Sequence, residues 1–97
     1  MPRVYLSVDA FEDLLKLEDF SSATADPLAG ELLDFILDAL QVLTHQPGIG
    51  RPVCGGLREL IISRRRSSYL ARYEFDESND LVLVARIRHQ RESGYSG

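Results

Sequence analysis

Ninety-seven residues, 44% of them apolar, make room for one globular domain around a single core, without disulfide or metal staples. The lone cysteine, Cys54, fits a reducing compartment; with no metal-ligand or cofactor pattern, no basic leader and no run near the roughly 18 apolar residues of a membrane span, a soluble cytoplasmic protein is expected. The net charge of −4 divides into −7 over residues 1–50 and +3 over residues 51–97, so an anion-seeking surface is compatible with an acidic whole unless the arginines pair with the helix acids.

Arg3 to Val8 alternates Val4, Leu6 and Val8 with Arg3, Tyr5 and Ser7, the period of a short strand. Asp9 stops it and, with Glu12 three residues on, forms a capping box for a helix through about Phe20. Phe11, Leu14 and Leu15 are the apolar stripe of that helix. The small, polar segment Ser21 to Ala25 reads as a link. Asp26 and Pro27 then read as the N-cap and first-turn pair of a long second helix. Its Leu28, Leu32, Phe35, Ile36, Ala39, Leu40 and Leu43 repeat at helical spacing, widened by Leu33 and Leu37, while Glu31, Asp34, Asp38 and Gln41 form a solvated opposite side.

Pro47 and Gly48 end the second helix. A phosphate cradle built on Gly48 and Gly50 needs a strand before the loop and a helix N-terminus after it; here the order is reversed. The loop to Gly56 therefore reads as a helix stop and a turn. Leu57 to Ser63 is the next strand, and Arg64, Arg65 and Arg66 form the turn that follows. Three adjacent like charges repel, which points to contact with nucleic acid or an acidic protein surface, a solvated turn being the plain alternative.

From Ser68 to Phe75, Tyr69, Ala71, Tyr73 and Phe75 alternate with Leu70, Arg72 and Glu74, which indicates a half-buried strand. Asp76 to Asp80 supply the turn of a hairpin. In the partner strand, Leu81 to Arg88, strict alternation sends Leu81, Leu83, Ala85 and Ile87 one way and Val82, Val84, Arg86 and Arg88 the other. On that parity Arg86 and Arg88 share a face, and His89, Arg91 and Tyr95 lie where the chain leaves the sheet. His89 also continues the parity of Ile87, so a place at the core edge is its alternative, and Tyr69 and Tyr73 read as packing residues. The expected fold class is α+β in the order β-α-α-β-β-β, an antiparallel sheet with the two helices packed on one face. The place of the first strand in the sheet stays open.

This order, with PGIGRP after the second helix, YLARYEF in the third strand and LVLVARIRHQRESGY at the end, resembles the RelE/ParE superfamily of toxins from bacterial type II toxin–antitoxin (plasmid stabilisation) modules. The resemblance covers nearly the whole chain and is most specific from Ile87 to Tyr95. It implies a small cytoplasmic growth inhibitor, neutralised by a cognate antitoxin in a hetero-oligomer. It also implies one of two activities. RelE-like members cut mRNA in the ribosome, while ParE-like members poison DNA gyrase without a known catalytic reaction of their own.

RNA cleavage by attack of a 2′-hydroxyl needs a proton acceptor, a proton donor and cations on the charged phosphorane. On that reading His89 and Tyr95, six positions apart as in RNA-cutting relatives, are the catalytic residues. Arg64, Arg65, Arg66, Arg72, Arg86, Arg88 and Arg91 are the candidate binding residues. Leu70 stands where several nuclease relatives carry arginine, and Lys16 is the only lysine of the chain, which points away from cleavage. Arg86, Ile87 and His89 resemble the ParE-like ending, and Arg91 and Glu92 approximate its arginine and acid motif. The resemblance therefore favours a gyrase inhibitor, with a ribosome-dependent mRNA endonuclease and an inactive, antitoxin-binding homologue as alternatives.

Overall fold

The computed structural model describes residues 1–23, 29–64 and 67–90, with side chains as far as Leu17 in the first stretch and from Glu31 in the second. Strand β1 is Arg3–Leu6, helix α1 Val8–Ala23, helix α2 Ala29–Leu40, and the remaining strands are β2 Arg51–Pro52, β3 Arg58–Arg64, β4 Ser67–Asp76 and β5 Leu81–His89. They form one sheet in the order β1-β5-β4-β3-β2. β1 runs parallel to β5 and every other pair is antiparallel. The first strand thus sits beside the last. Because β1 and β2 lie at opposite edges, α1 and α2 carry the chain across one face of the sheet, which is why both helices lie on the same side.

Ala10, Leu14 and Leu17 of α1 meet Leu32, Ile36 and Leu40 of α2 over Ile62, Tyr69, Ala71, Tyr73, Val82, Val84 and Ile87 of the sheet. Burial of each Leu, Ile and Val among them contributes roughly 1.5–3 kcal/mol, so this layer holds the domain together. In α2 the buried positions are those the spacing predicts, and Glu31, Asp34, Asp38 and Gln41 are exposed. The chain then tightens into a 3-10 turn at Gln41–Thr44 that keeps Leu43 buried. The expected cap at Asp26 and Pro27 lies outside the described residues.

Helix α1 departs from expectation in three ways. Its N-cap is Ser7, not Asp9: the Ala10 amide donates to Ser7 Oγ at 3.0 Å and the Phe11 amide to the Ser7 carbonyl at 3.0 Å. Its buried arc is turned, leaving Phe11 50% and Leu15 44% exposed, because Asp13 is drawn to the inner side by partners on β5. It also continues to Ala23, through most of the segment read as a link.

In β4 the alternation holds, with Tyr69, Ala71 and Tyr73 on the helix side. In β5 it breaks. Arg72 pairs with Arg86 and Tyr73 with Val84, so Ala85 is an extra, unpaired residue and the strand is bulged. Val82 and Val84 before the bulge and Ile87 after it are all buried, whereas Leu83 is exposed. The strict parity read from sequence, with Leu83 and Ile87 on one face, is therefore incorrect, since one inserted residue reverses it. The hairpin turn does use its polar residues: the Asp76 carboxylate accepts from the Asn79 amide at 3.1 Å and from Asn79 Nδ2 at 2.7 Å, and Asp80 takes a left-handed φ of 53°.

The loop after α2 is pinned to the sheet. The Tyr73 hydroxyl donates to the Pro47 carbonyl at 2.7 Å and accepts from the Gly50 amide at 2.8 Å. Arg58 donates to the carbonyls of Gly48 at 3.2 Å and Gly50 at 2.8 Å. The loop leads into β2, an unpredicted edge strand whose Arg51 and Pro52 pair with Glu59 and Arg58.

Candidate binding face and closing edge of the sheet

Since β1 stops at Leu6, opposite Val84, the outer edge of β5 beyond that point needs other partners for its backbone. The chain supplies them in succession. The Ser7 amide donates to the Val84 carbonyl at 2.9 Å, Ser7 Oγ donates to the Ala85 carbonyl at 2.8 Å, and the Ile87 amide donates to Asp13 Oδ2 at 2.9 Å. Asp13 takes Arg86 as well, with Nε to Oδ2 at 2.9 Å and Nη2 to Oδ1 at 3.2 Å. Burial alone would push the Asp13 carboxyl up, but the Arg86 and Ile87 hydrogen bonds and the charges of Arg86 and Arg88 hold it below the ordinary value.

A second buried carboxylate organises the other end of the sheet. Glu59 is 2% exposed. Its Oε1 receives Arg51 Nη2 at 2.7 Å and Nε at 3.2 Å, and its Oε2 receives Arg72 Nε at 3.2 Å. Desolvation pushes Glu59 up, and the hydrogen bonds and charges of Arg51 and Arg72 more than offset it, so its pKa lies below the ordinary range. Two arginines against one carboxylate leave this cluster positive on balance.

The expected site residues divide between the two faces. Alternation with Tyr69, Ala71 and Tyr73 places Leu70 and Arg72 on the face away from the helices. That face also carries exposed Ile61 and Leu83 and, on β1, Tyr5, and Arg88 pairs with Leu70 across the strands. His89 pairs with Tyr69 instead, and their rings meet edge to face at 5.2 Å between centroids. His89 therefore sits at the margin of the helix-side core, while the Arg88 side chain, like that of Arg86, lies at the sheet edge beside Asp13 and Lys16 of α1. Arg86 is bound to an acid of α1, which realises for that residue the internal pairing considered from sequence. The Arg64 guanidinium lies over the Phe35 ring, 5.6 Å from its centroid. Arg65, Arg66, Arg91 and Tyr95 lie outside the described residues.

Two residues that organise this surface were not identified from sequence, Asp13 and Glu59. Asp13 carries a readable signal, an acid inside the buried series Ala10, Asp13, Leu14, Leu17, where a carboxylate requires a partner. Glu59 carries none, because its partners emerge only from the pairing of β2, β3 and β4. Among the described residues no group of three or more His, Cys, Asp or Glu side chains is placed to hold a metal ion, and no helix is long and apolar enough to cross a membrane.

A family model described as the ParE toxin of type II toxin–antitoxin system, parDE, matches residues 4–94. Toxin RelE3 of Caulobacter vibrioides is 33% identical over 92 residues, spanning 95% of this chain and 98% of that protein. A chain from a chromosomal ParDE toxin–antitoxin system of P. aeruginosa superposes with a TM-score of 0.75 at 22% identity, covering 92% of this chain and 96% of the other. A chain of the RelBE2 toxin–antitoxin complex from Mycobacterium tuberculosis does so with a TM-score of 0.57 at 23% identity, covering 92% and 99%. These two structural likenesses speak for the α+β fold.

Proposed function

The chain belongs to the ParE toxin family of type II toxin–antitoxin systems, and from that premise we propose that it arrests bacterial growth by binding DNA gyrase in the cytoplasm. A cognate antitoxin holds it inactive in a hetero-oligomer. The binding surface on this reading is the sheet face away from the helices, which carries Arg72 and the exposed Ile61, Leu83 and Tyr5, together with the closing end of β5, where Arg88 stands. Arginine interleaved with apolar side chains is the composition of protein contacts.

The observation that supports binding over RNA cleavage is that His89, Arg86 and Arg72 are each engaged by neighbours within the fold. Phosphoryl chemistry needs a proton-transfer group and cationic clamps converging on one phosphate. Here the His89 ring is seated on Tyr69, and Arg86 and Arg72 are each engaged by a buried carboxylate. Carboxylates matched to those guanidinium groups would also compete with a phosphate for them.

Three measurements test the proposal. Expression without antitoxin should arrest growth, and the purified protein should block supercoiling by gyrase while leaving message on translating ribosomes intact. Growth arrest should survive His89→Ala and Tyr95→Phe in folded protein. Cut message with unaffected supercoiling would establish the endonuclease instead, and unaffected growth in the presence of folded protein would identify an inactive homologue.

A further inference from the structure

Resting on the toxin–antitoxin reading, we infer that the notch between α1 and the end of β5 seats a carboxylate side chain from an acidic, amphipathic segment of the antitoxin, gripped between Lys16 and Arg88. The notch has a volume of about 250 Å³ and is lined by Asp13, Lys16, Arg86, Ile87 and Arg88. Sites for small molecules and cofactors run from roughly 300 to 1,000 Å³, so this cavity suits one side chain rather than a whole ligand.

Its two ends differ in charge. At the inner end Arg86 is bonded to Asp13 and feels the charge of Asp9, one helical turn earlier. At the outer end stand Lys16, exposed on the turn after Asp13, and Arg88, half-buried two residues beyond Arg86. Among the residues lining the notch, three cations face the one carboxylate of Asp13, which is already bonded to Arg86, so the unmatched positive charge lies at the outer end. An added carboxylate there offsets it.

The ground beside the notch indicates what carries that carboxylate. Val8, Phe11 and Leu15 form an outward ridge on α1 at spacings of three and four, all of them exposed. A segment crossing α1 can place apolar side chains on this ridge and an acid in the notch. A nucleic-acid strand fits poorly, because successive phosphates would pass the exposed carboxylates of Asp9 and Glu12 on the same helix.

The test uses the protein encoded by the reading frame beside the toxin gene, accepted as antitoxin if its co-expression restores growth. Its affinity for the full chain is measured by titration calorimetry. The double variant Lys16→Glu, Arg88→Glu should bind roughly 10- to 100-fold more weakly, with a flatter salt dependence. An acid-to-lysine substitution in the antitoxin should restore part of that loss. If the double variant does not fold, Lys16→Glu and Arg88→Gln are measured singly, and each should still lose several-fold. Unchanged affinity in folded variants overturns the notch while leaving the antitoxin reading intact. Failure of the neighbouring protein to bind the unmodified chain overturns the antitoxin reading itself. Loss of binding to a labelled single-stranded RNA oligonucleotide, with antitoxin affinity unchanged, also overturns the assignment and marks a nucleic-acid contact.

Discussion

The hydroxyl of Tyr73 stands where a side chain at Gly50 would begin. A β-carbon on Gly50 would lie 2.7 Å from Tyr73 Oη, 2.8 Å from Tyr73 Cε1 and 2.9 Å from the Glu59 carbonyl. Gly50 does not adopt a left-handed backbone, so what its position in PGIGRP requires is the absence of atoms rather than freedom of φ. The same hydroxyl satisfies the Gly50 amide and the Pro47 carbonyl, which ties the loop after α2 to the middle of β4.

Gly50→Ala should therefore destabilise the domain by about 1–3 kcal/mol, the usual cost of forcing atoms into packed space. Thermal melts should show a drop of roughly 4–8 °C for each kcal/mol in a domain of this size. Gly48→Ala is the control, since a β-carbon there meets nothing within 4 Å, and its effect should stay within about 0.5 kcal/mol. Equal melting points for the two variants would refute the contact.

Asp13→Ala removes the acceptor of the buried Ile87 amide and the partner of Arg86. The expected loss is about 1–3 kcal/mol by urea denaturation. It falls short of the ~3–5 kcal/mol seen when fully buried ion pairs are broken, because water reaches the Arg86 side chain, which is 41% exposed. Asp13→Asn keeps an oxygen for the Ile87 amide and should cost less. Hydrogen exchange at Ile87 should speed up in the alanine variant and stay closer to the parent in the asparagine one.

The two buried carboxylates predict a loss of stability in acid. Asp13 and Glu59 are held below their ordinary values of 3.8 and 4.5, so the unfolded chain binds protons more readily than the folded one. Their contribution is complete above those ordinary values and disappears as pH falls through the lower folded-state values. Urea midpoints should be level from neutral pH to about 5 and then decline steeply below about 4. Asp13→Asn together with Glu59→Gln should flatten that decline; an unchanged slope would show that other groups govern it.

Ser7→Ala loses the cap of α1 and the bond to the Ala85 carbonyl, and should cost about 1–2 kcal/mol. Asp9→Ala gives up only a favourable charge near the helix start, worth about 0.5 kcal/mol. The reverse order in chemical denaturation would restore Asp9 as the cap.

His89→Ala should remove the edge contact with Tyr69 at a cost of about 0.5–1.5 kcal/mol. On the binding reading, growth arrest by the folded variant persists. Abolished toxicity with normal folding would transfer His89 to the reaction itself.

The sequence conveys this architecture unevenly, and the reasons are local. Helix α2 and strand β4 each show one periodicity with nothing competing, so their inner faces are read correctly down to Leu32, Ile36, Tyr69 and Tyr73. In α1 a buried acid takes a place that a hydrophobic pattern assigns to Phe11 or Leu15, and the stripe is read rotated. β5 defeats alternation because the bulge at Ala85 has no signature among Val, Ala and Arg. The candidate residues at its end were visible by type, but the pairing that sets His89 opposite Tyr69 depends on that one inserted residue. Glu59 had to await the sheet, since only strand pairing brings Arg51 and Arg72 to it.

Ser7 and Ala85, joined by a hydrogen bond, are 78 residues apart in the chain. Among the described residues strand β1 has only β5 as a neighbour in the sheet, and it leaves the ribosome long before β5 has been synthesised. Until the closing hairpin emerges, the first strand has nowhere to dock, and contacts of such long reach are slow to form. A nascent copy is accordingly incomplete along the very border where Ser7 and Asp13 seal the last strand, so the sheet closes only after elongation has passed that hairpin.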